Sequence, residues 1–150
     1  MNILRHNTDY ALRMMCCLAR HYGNGAISVR QLAQEEEVSY QYACKILQKL
    51  HESALVVSQM GPKGGYKLSK EPHLITMLEV IRAMQGTISV NHCTLEDGFC
   101  DRRLTCPLNG QLCLLQNQID QYLKDVSLID ILNNQNKIAQ LKTHSDGDPE

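Results

Sequence analysis

Ser28 and Ser39 stand eleven residues apart, and each opens a run with the punctuation of a helix. In "SVRQLAQEEEV" Ser28 caps forward and Gln31 reaches back in a capping box, which predicts a helix of only about ten residues. Ser39 is a second N-cap, and "YQYACKILQKLHES" after it sets Ala43, Ile46, Leu47 and Leu50 at i, i+3, i+4 and i+7. The opposite face is Tyr40, Gln41, Lys45, Gln48 and Lys49. A short helix, a turn of about four residues and a second helix with one apolar stripe form a helix-turn-helix pattern, which an ordinary helical hairpin shares.

The next segment favours the first reading. "LVVSQMGPKGGYKLS" predicts two short strands, Leu55 to Ser58 and Tyr66 to Ser69, joined by a loop holding Gly61, Pro62, Gly64 and Gly65. A hairpin placed directly after such a helix is a wing. Its glycines let backbone approach backbone, and Lys63 and Lys67 supply cations for phosphate.

The flanking segments extend an all-helical frame. A first helix is expected from Asn7 or Thr8, either of which can cap, to about Tyr22, with Ala11, Met14, Met15, Leu18 and Tyr22 on one face. After Pro72, "TMLEVIRAMQG" carries a capping box of Thr76 and Glu79 and a Gly86 stop, giving a short connecting helix. Pro107 suits the first turn of a long helix. Along it Leu108, Leu112, Leu115, Ile119, Tyr122 and Val126 step by 4, 3, 4, 3 and 4, a heptad seam that calls for a partner or for the chain's own core. "SLIDILNN" adds a final turn or two before a polar tail.

Charge divides the chain: residues 1–70 hold nine Lys/Arg against five Asp/Glu, and residues 71–150 hold six against eleven. A basic front half suits a polyanionic partner. With one Phe and no Trp, the core is left to Leu, Ile, Val and Met. The opening segment is interrupted by Arg5, Asp9, Arg13 and Arg20, so it reads as neither signal peptide nor membrane span, and a cytosolic location is expected.

Seven cysteines, an odd number, argue against a disulfide framework. Cys16, Cys17 and Cys44 fall in apolar periodic runs and read as buried thiols. Cys93, Cys100 and Cys106 lie in "NHCTLEDGFCDRRLTCP", which has almost nothing apolar to bury. Three thiolates in one loop can close round an iron-sulfur cluster or a zinc ion. Cys106, just before the long helix, gains from its free N–H groups and dipole, and Arg102 and Arg103 add positive charge.

Taken together, "TDYALRMMCCLA", the two capped helices, "GPKGGY" and C-x6-C-x5-C before a long helix resemble the bacterial winged-helix transcription regulators that include IscR, NsrR and CymR, the Rrf-two family. The resemblance covers residues 1 to about 132. It implies a mainly α fold with a small β-hairpin wing, and a homodimer crossing through the long helices. It implies double-stranded operator DNA read by Ser39, Tyr40, Gln41, Lys45 and Lys49, with Lys63 and Lys67 in the wing. It further implies an iron-sulfur cluster, 2Fe-2S or 4Fe-4S, on Cys93, Cys100 and Cys106, with Asp9 of the "TDY", contributed across the dimer, as leading candidate for fourth ligand ahead of His92 and Cys113. Two positions depart from the family pattern: Met60 stands where an arginine is common before the wing's Gly-Pro, and Asn109 where one branch carries a ligating histidine.

The expected organisation is a DNA-binding unit over 1–70, a connecting helix over 71–90, the cysteine loop over 91–106, a dimerisation helix over 107–132 and a tail over 133–150. Two alternatives remain beside the cluster sensor: a cluster-free regulator whose cysteines switch by disulfide formation or bind zinc, and an interaction module docking on a metabolic enzyme. No phosphate loop, nucleophile-base pair or carboxylate dyad suggests an enzyme, and no membrane partner is expected.

Overall fold

The computed structural model describes residues 3–95 and 100–134. They form α1 (His6–Arg20), α2 (Val29–Glu35), α3 (Tyr40–Glu52), β1 (Val56–Gln59), β2 (Gly65–Leu68), α4 (Met77–Gln85), α5 (Asn109–Asp125) and a last helix α6 over 128–134. This is a mainly α fold with a two-stranded wing, as the family resemblance implied.

Local signals placed α2, α3 and α4. The Ser28 hydroxyl accepts from Gln31 N at 3.1 Å and the Ser39 hydroxyl from Tyr42 N at 3.2 Å. Each satisfies an amide that the first helical turn leaves open. The Thr76–Glu79 capping box is complete in both directions, at 3.2 and 2.8 Å. The Ser28 box is only half built, because Gln31 Nε2 donates to Glu35 Oε1 at 3.0 Å instead of reaching back.

The start of α1 differs from expectation. Neither Asn7 nor Thr8 caps it; Arg5 stands at the N-cap without a side-chain bond. Thr8 is fully buried, and its hydroxyl donates to Gln85 Oε1 at 2.7 Å. The same oxygen accepts from Arg5 N at 2.9 Å, and Gln85 Nε2 donates to the Ile3 carbonyl at 2.9 Å. The end of α4 therefore does the capping, from eighty positions away.

In the wing, Val56 pairs with Leu68 and Gln59 with Gly65 in an antiparallel register. The strands sit one residue off the expected segments at all four of their ends. Tyr66 also exchanges both backbone bonds with Ile27, at 2.9 and 2.8 Å, so the hairpin is fastened to the segment before α2. Glycine at 65 is required there: its φ is +152°, and a Cβ would fall inside the Ile27 carbonyl.

One core unites these pieces. Met14, Met15, Leu32, Ile46, Leu47, Leu50, Val56, Ile75, Val80, Ile81 and Leu128 are all fully buried, so α4 and the start of α6 share the interior of the winged unit. Met77 N donates to the Val126 carbonyl at 2.8 Å and Leu128 N to the Ile75 carbonyl at 3.0 Å. Those bonds hold Val126 in an extended conformation and end α5 there, so residues 128–134 form a separate helix. α5 also begins at Asn109, two residues beyond Pro107. The expected tail lies almost wholly outside the described residues.

Candidate DNA interface and cysteine loop

Ala43, Ile46, Leu47 and Leu50 turn α3 into the core, which leaves Tyr40, Gln41, Lys45 and Gln48 outward. Tyr42 packs edge-on against Tyr10 of α1, with ring centroids 5.7 Å apart, so the start of α3 is held by an aromatic contact. The turn before it is anchored by charge. Glu36, buried at the end of α2, meets Arg13 at 2.9 Å and Arg20 at 3.5 Å, both on α1.

The residues expected to meet DNA divide into two groups. Ser39, Tyr40, Gln41, Lys45, Lys63 and Lys67 are exposed along the α3 face and the wing. Lys49 is also on that helix, yet its ammonium donates to the Met84 carbonyl at 3.0 Å. It caps the C-terminal end of α4, where the helix dipole favours a cation. The Cys44 thiol, one helical turn on, raises the Tyr40 phenol above its ordinary range. Met60 stands at the wing tip with 92% of its surface exposed. His51 joins the parts: its ring meets Tyr66 edge-on at 6.2 Å, and Nδ1 lies 3.1 Å from the Val56 carbonyl.

The three loop cysteines are free thiols, Cys100 exposed and Cys93 and Cys106 half-buried. Cys93 lies in a single helical turn, His92–Thr94, and the Cys106 N–H donates to the Arg102 carbonyl at 2.7 Å just before α5. Asp9 is exposed on the first turn of α1. Among the described residues of one chain, these four do not supply three ligand atoms within 4.8 Å of one another; the only such group is Cys17, His21 and Glu35.

Two polar residues stand out at this loop, and of these only Gln116 has no signal in the sequence. Buried Gln116 of α5 donates to the Ile88 carbonyl at 2.9 Å and accepts from Val90 N at 2.9 Å, so the chain leading to Cys93 is hung on α5. Asn109 Nδ2, at the start of α5, is buried with no hydrogen-bond partner. Gln116 looked like one more polar residue of a solvated helix, and nothing in its spacing marked it.

Of the three thiols expected to be buried, Cys17 is, while Cys16 and Cys44 are half-buried. Loss of solvent around Cys16 and Cys17 pushes their thiols up to about 11 and about 12, so neither is a free thiolate near neutral pH.

The heptad seam is split. Leu112, Ile119 and Val126 are half-buried, and Ile119 packs on the core. Leu108, Leu115 and Tyr122 stay 64, 46 and 65% exposed along one stripe of α5. No helix among the described residues is long and apolar enough to cross a membrane.

Residues 4–134 match the Rrf2 family, described as an iron-dependent transcriptional regulator. The HTH-type transcriptional regulator ORF2 of Azotobacter vinelandii is 33% identical over 82% of this chain and 74% of its own. The structure of CymR, the global cysteine regulator of B. subtilis, superposes with a TM-score of 0.73 at 29% identity, covering 89% of this chain and 98% of that one. T. potens IscR gives 0.69 at 25% identity, over 88% and 87%. This similarity spans the helix-turn-helix, the wing, the cysteine loop and α5, and on it the chain belongs to the Rrf2 family of DNA-binding transcription regulators, not to the enzymes.

Proposed function

We propose that the chain is a homodimeric regulator that reads operator DNA with Ser39, Tyr40, Gln41 and Lys45, places Lys63 and Lys67 on phosphates, and senses iron-sulfur status, nitric oxide or redox state through its cysteine loop. Cys93, Cys100 and Cys106 would hold a 2Fe-2S or 4Fe-4S cluster, with Asp9 of the partner protomer as fourth ligand. The donor set suits such a group: three thiols stand in a polar loop, and the observation that carries the reading is the orphaned Asn109 Nδ2 at the start of α5, three residues after Cys106. A buried N–H without a partner is costly, and hydrogen bonds to sulfur are a known means of tuning such clusters. When bound, a cluster with one oxygen ligand offers a centre that nitric oxide, oxygen or iron scarcity destroys.

The chain's own residues would convert that event into a DNA response. Gln116 fastens the start of the loop to α5, and the open Leu108, Leu115 and Tyr122 stripe of α5 suits a second copy of the helix. α4 packs between α5 and the winged unit, so a change in the loop can bias how two recognition helices are spaced.

Anaerobic purification followed by an absorption spectrum and iron, sulfide and zinc analysis tests this reading. Sulfide and iron in comparable amounts, lost more readily in Asp9→Ala, are expected; a colourless protein with zinc and no sulfide ends it. A second reading, a thiol switch or zinc site on the same three cysteines, is favoured by their standing as free thiols. The same measurement separates the two.

A further inference from the structure

Away from the cysteine loop, three metal-ligating side chains converge where α1 ends and α2 ends. Cys17 and His21 are one helical turn apart, and Glu35 is the last residue of α2. Cys17 Sγ donates to Glu35 Oε2 at 2.9 Å, His21 Nε2 lies 3.7 Å from the same oxygen, and all three ligand atoms are within 4.8 Å of one another. Metal bonds of about 2.3 Å to sulfur and about 2.0–2.2 Å to nitrogen and oxygen put the ligand atoms of a tetrahedral site roughly 3.4–3.6 Å apart. The His21–Glu35 pair already has nearly that spacing. The Cys17–Glu35 pair reaches it by opening about 0.7 Å once the thiol proton between them is gone.

The surroundings fit the same use. The second carboxylate oxygen of Glu35 accepts from Gln31 Nε2 at 3.0 Å, which turns Oε2 toward the thiol, as outer-shell partners of metal ligands do. This explains why Gln31 leaves the Ser28 capping box incomplete. Arg20 shares its guanidinium between Glu36, at 3.5 Å, and the Cys17 thiol, where its charge favours the thiolate. The side chains of His21 and Glu35 are 37 and 33% exposed, which opens a path from solvent to the buried thiol.

We propose that Cys17, His21 and Glu35 form a second site, separate from the cysteine loop, that binds one divalent transition ion of the zinc type through Sγ, Nε2 and Oε2 with water as fourth ligand. Binding exchanges the ion for the Cys17 thiol proton, which leaves to solvent. The ion joins α1 to α2 at the residue before Glu36, where the turn into the recognition helix begins. It therefore stiffens the support of the DNA-reading helix, and the thermal midpoint rises with metal concentration.

Cobalt(II) is the probe, added to full-length protein carrying Cys93→Ser, Cys100→Ser and Cys106→Ser so that the loop thiols cannot contribute. Expected are a thiolate-to-cobalt charge-transfer band and tetrahedral visible bands that saturate at one ion per chain and disappear when zinc is added. In this background Cys17→Ala abolishes the charge-transfer band. His21→Gln, at a half-exposed position that spares the fold, weakens cobalt binding on the order of tenfold or more. Absence of a thiolate band in the loop variant, or an affinity that His21→Gln leaves unchanged, overturns the site.

Discussion

Gln116 holds Val90: from the middle of α5 its Oε1 accepts the Val90 N–H at 2.9 Å, while its Nε2 donates to the Ile88 carbonyl at the same distance. A single carboxamide thus satisfies two backbone groups, three and five residues before the first loop cysteine. Thr94 adds its hydroxyl to the same oxygen at 3.3 Å. The stretch from 88 to 94 has little regular structure to pair its backbone, so the side chain replaces a ladder.

Replacing Gln116 by Ala strands buried donors and acceptors, and a loss of about 1–3 kcal/mol in chemical denaturation is expected. Amide exchange at Val90 should quicken in the same variant. Protection that is unchanged at Val90 would mean the clamp is not what orders the loop.

On the DNA face, Lys45→Ala and Gln41→Ala should both weaken operator binding in a mobility shift while the dimer persists. For Lys45→Ala the slope of log affinity against log salt should fall by about one, the signature of a lost phosphate contact. Lys49→Ala provides the contrast. Its ammonium caps α4, so it should cost about 0.5–1.5 kcal/mol of stability and leave the salt slope alone. A reduced slope for Lys49→Ala would place it on DNA instead.

Association through α5 can be tested at its exposed stripe. Leu115→Glu and Tyr122→Glu both fall on solvent-facing positions of the isolated chain, so helicity by circular dichroism should survive. Size exclusion with light scattering should show monomer, and operator binding should drop with it, because two half-sites need two recognition helices. A dimer that tolerates both charges would remove this stripe from the interface.

Glu79 makes stability depend on pH. Partial burial raises its carboxyl, but Lys70 at 2.7 Å and the Thr76 bonds outweigh that and hold it below the ordinary glutamate range. A folded-state pKa below the unfolded one adds stability that is full above the ordinary range and lost as pH falls through it to the lowered value. Glu79→Ala should therefore cost about 0.5–2 kcal/mol near neutrality and less as pH falls below the ordinary glutamate range, where the wild type loses the same term. Thermal midpoints across that range check it, and a constant difference would deny the ionised carboxylate its role.

The order and type of the elements were legible because their causes lie three or four residues apart. Ser28, Ser39 and Thr76 each bond an amide within the next turn, and the glycines at 64 and 65 mark a turn and a close approach wherever the hairpin lies. The cysteine loop was legible for a related reason, since thiols without apolar neighbours have no core to enter. The outward residues of α3 followed from the inward ones.

What the sequence determined by itself, then, was local: caps, stripes, the wing and the composition of the loop. Tertiary structure alone decided that Gln85 caps α1, that Lys49 bonds the end of α4, that Gln116 carries the loop, that α5 ends at Val126, and that Cys17 meets His21 and Glu35. The physical reason is reach. A long polar side chain bonds whatever unsatisfied group packing brings to it, and spacing along the chain carries no record of that neighbour.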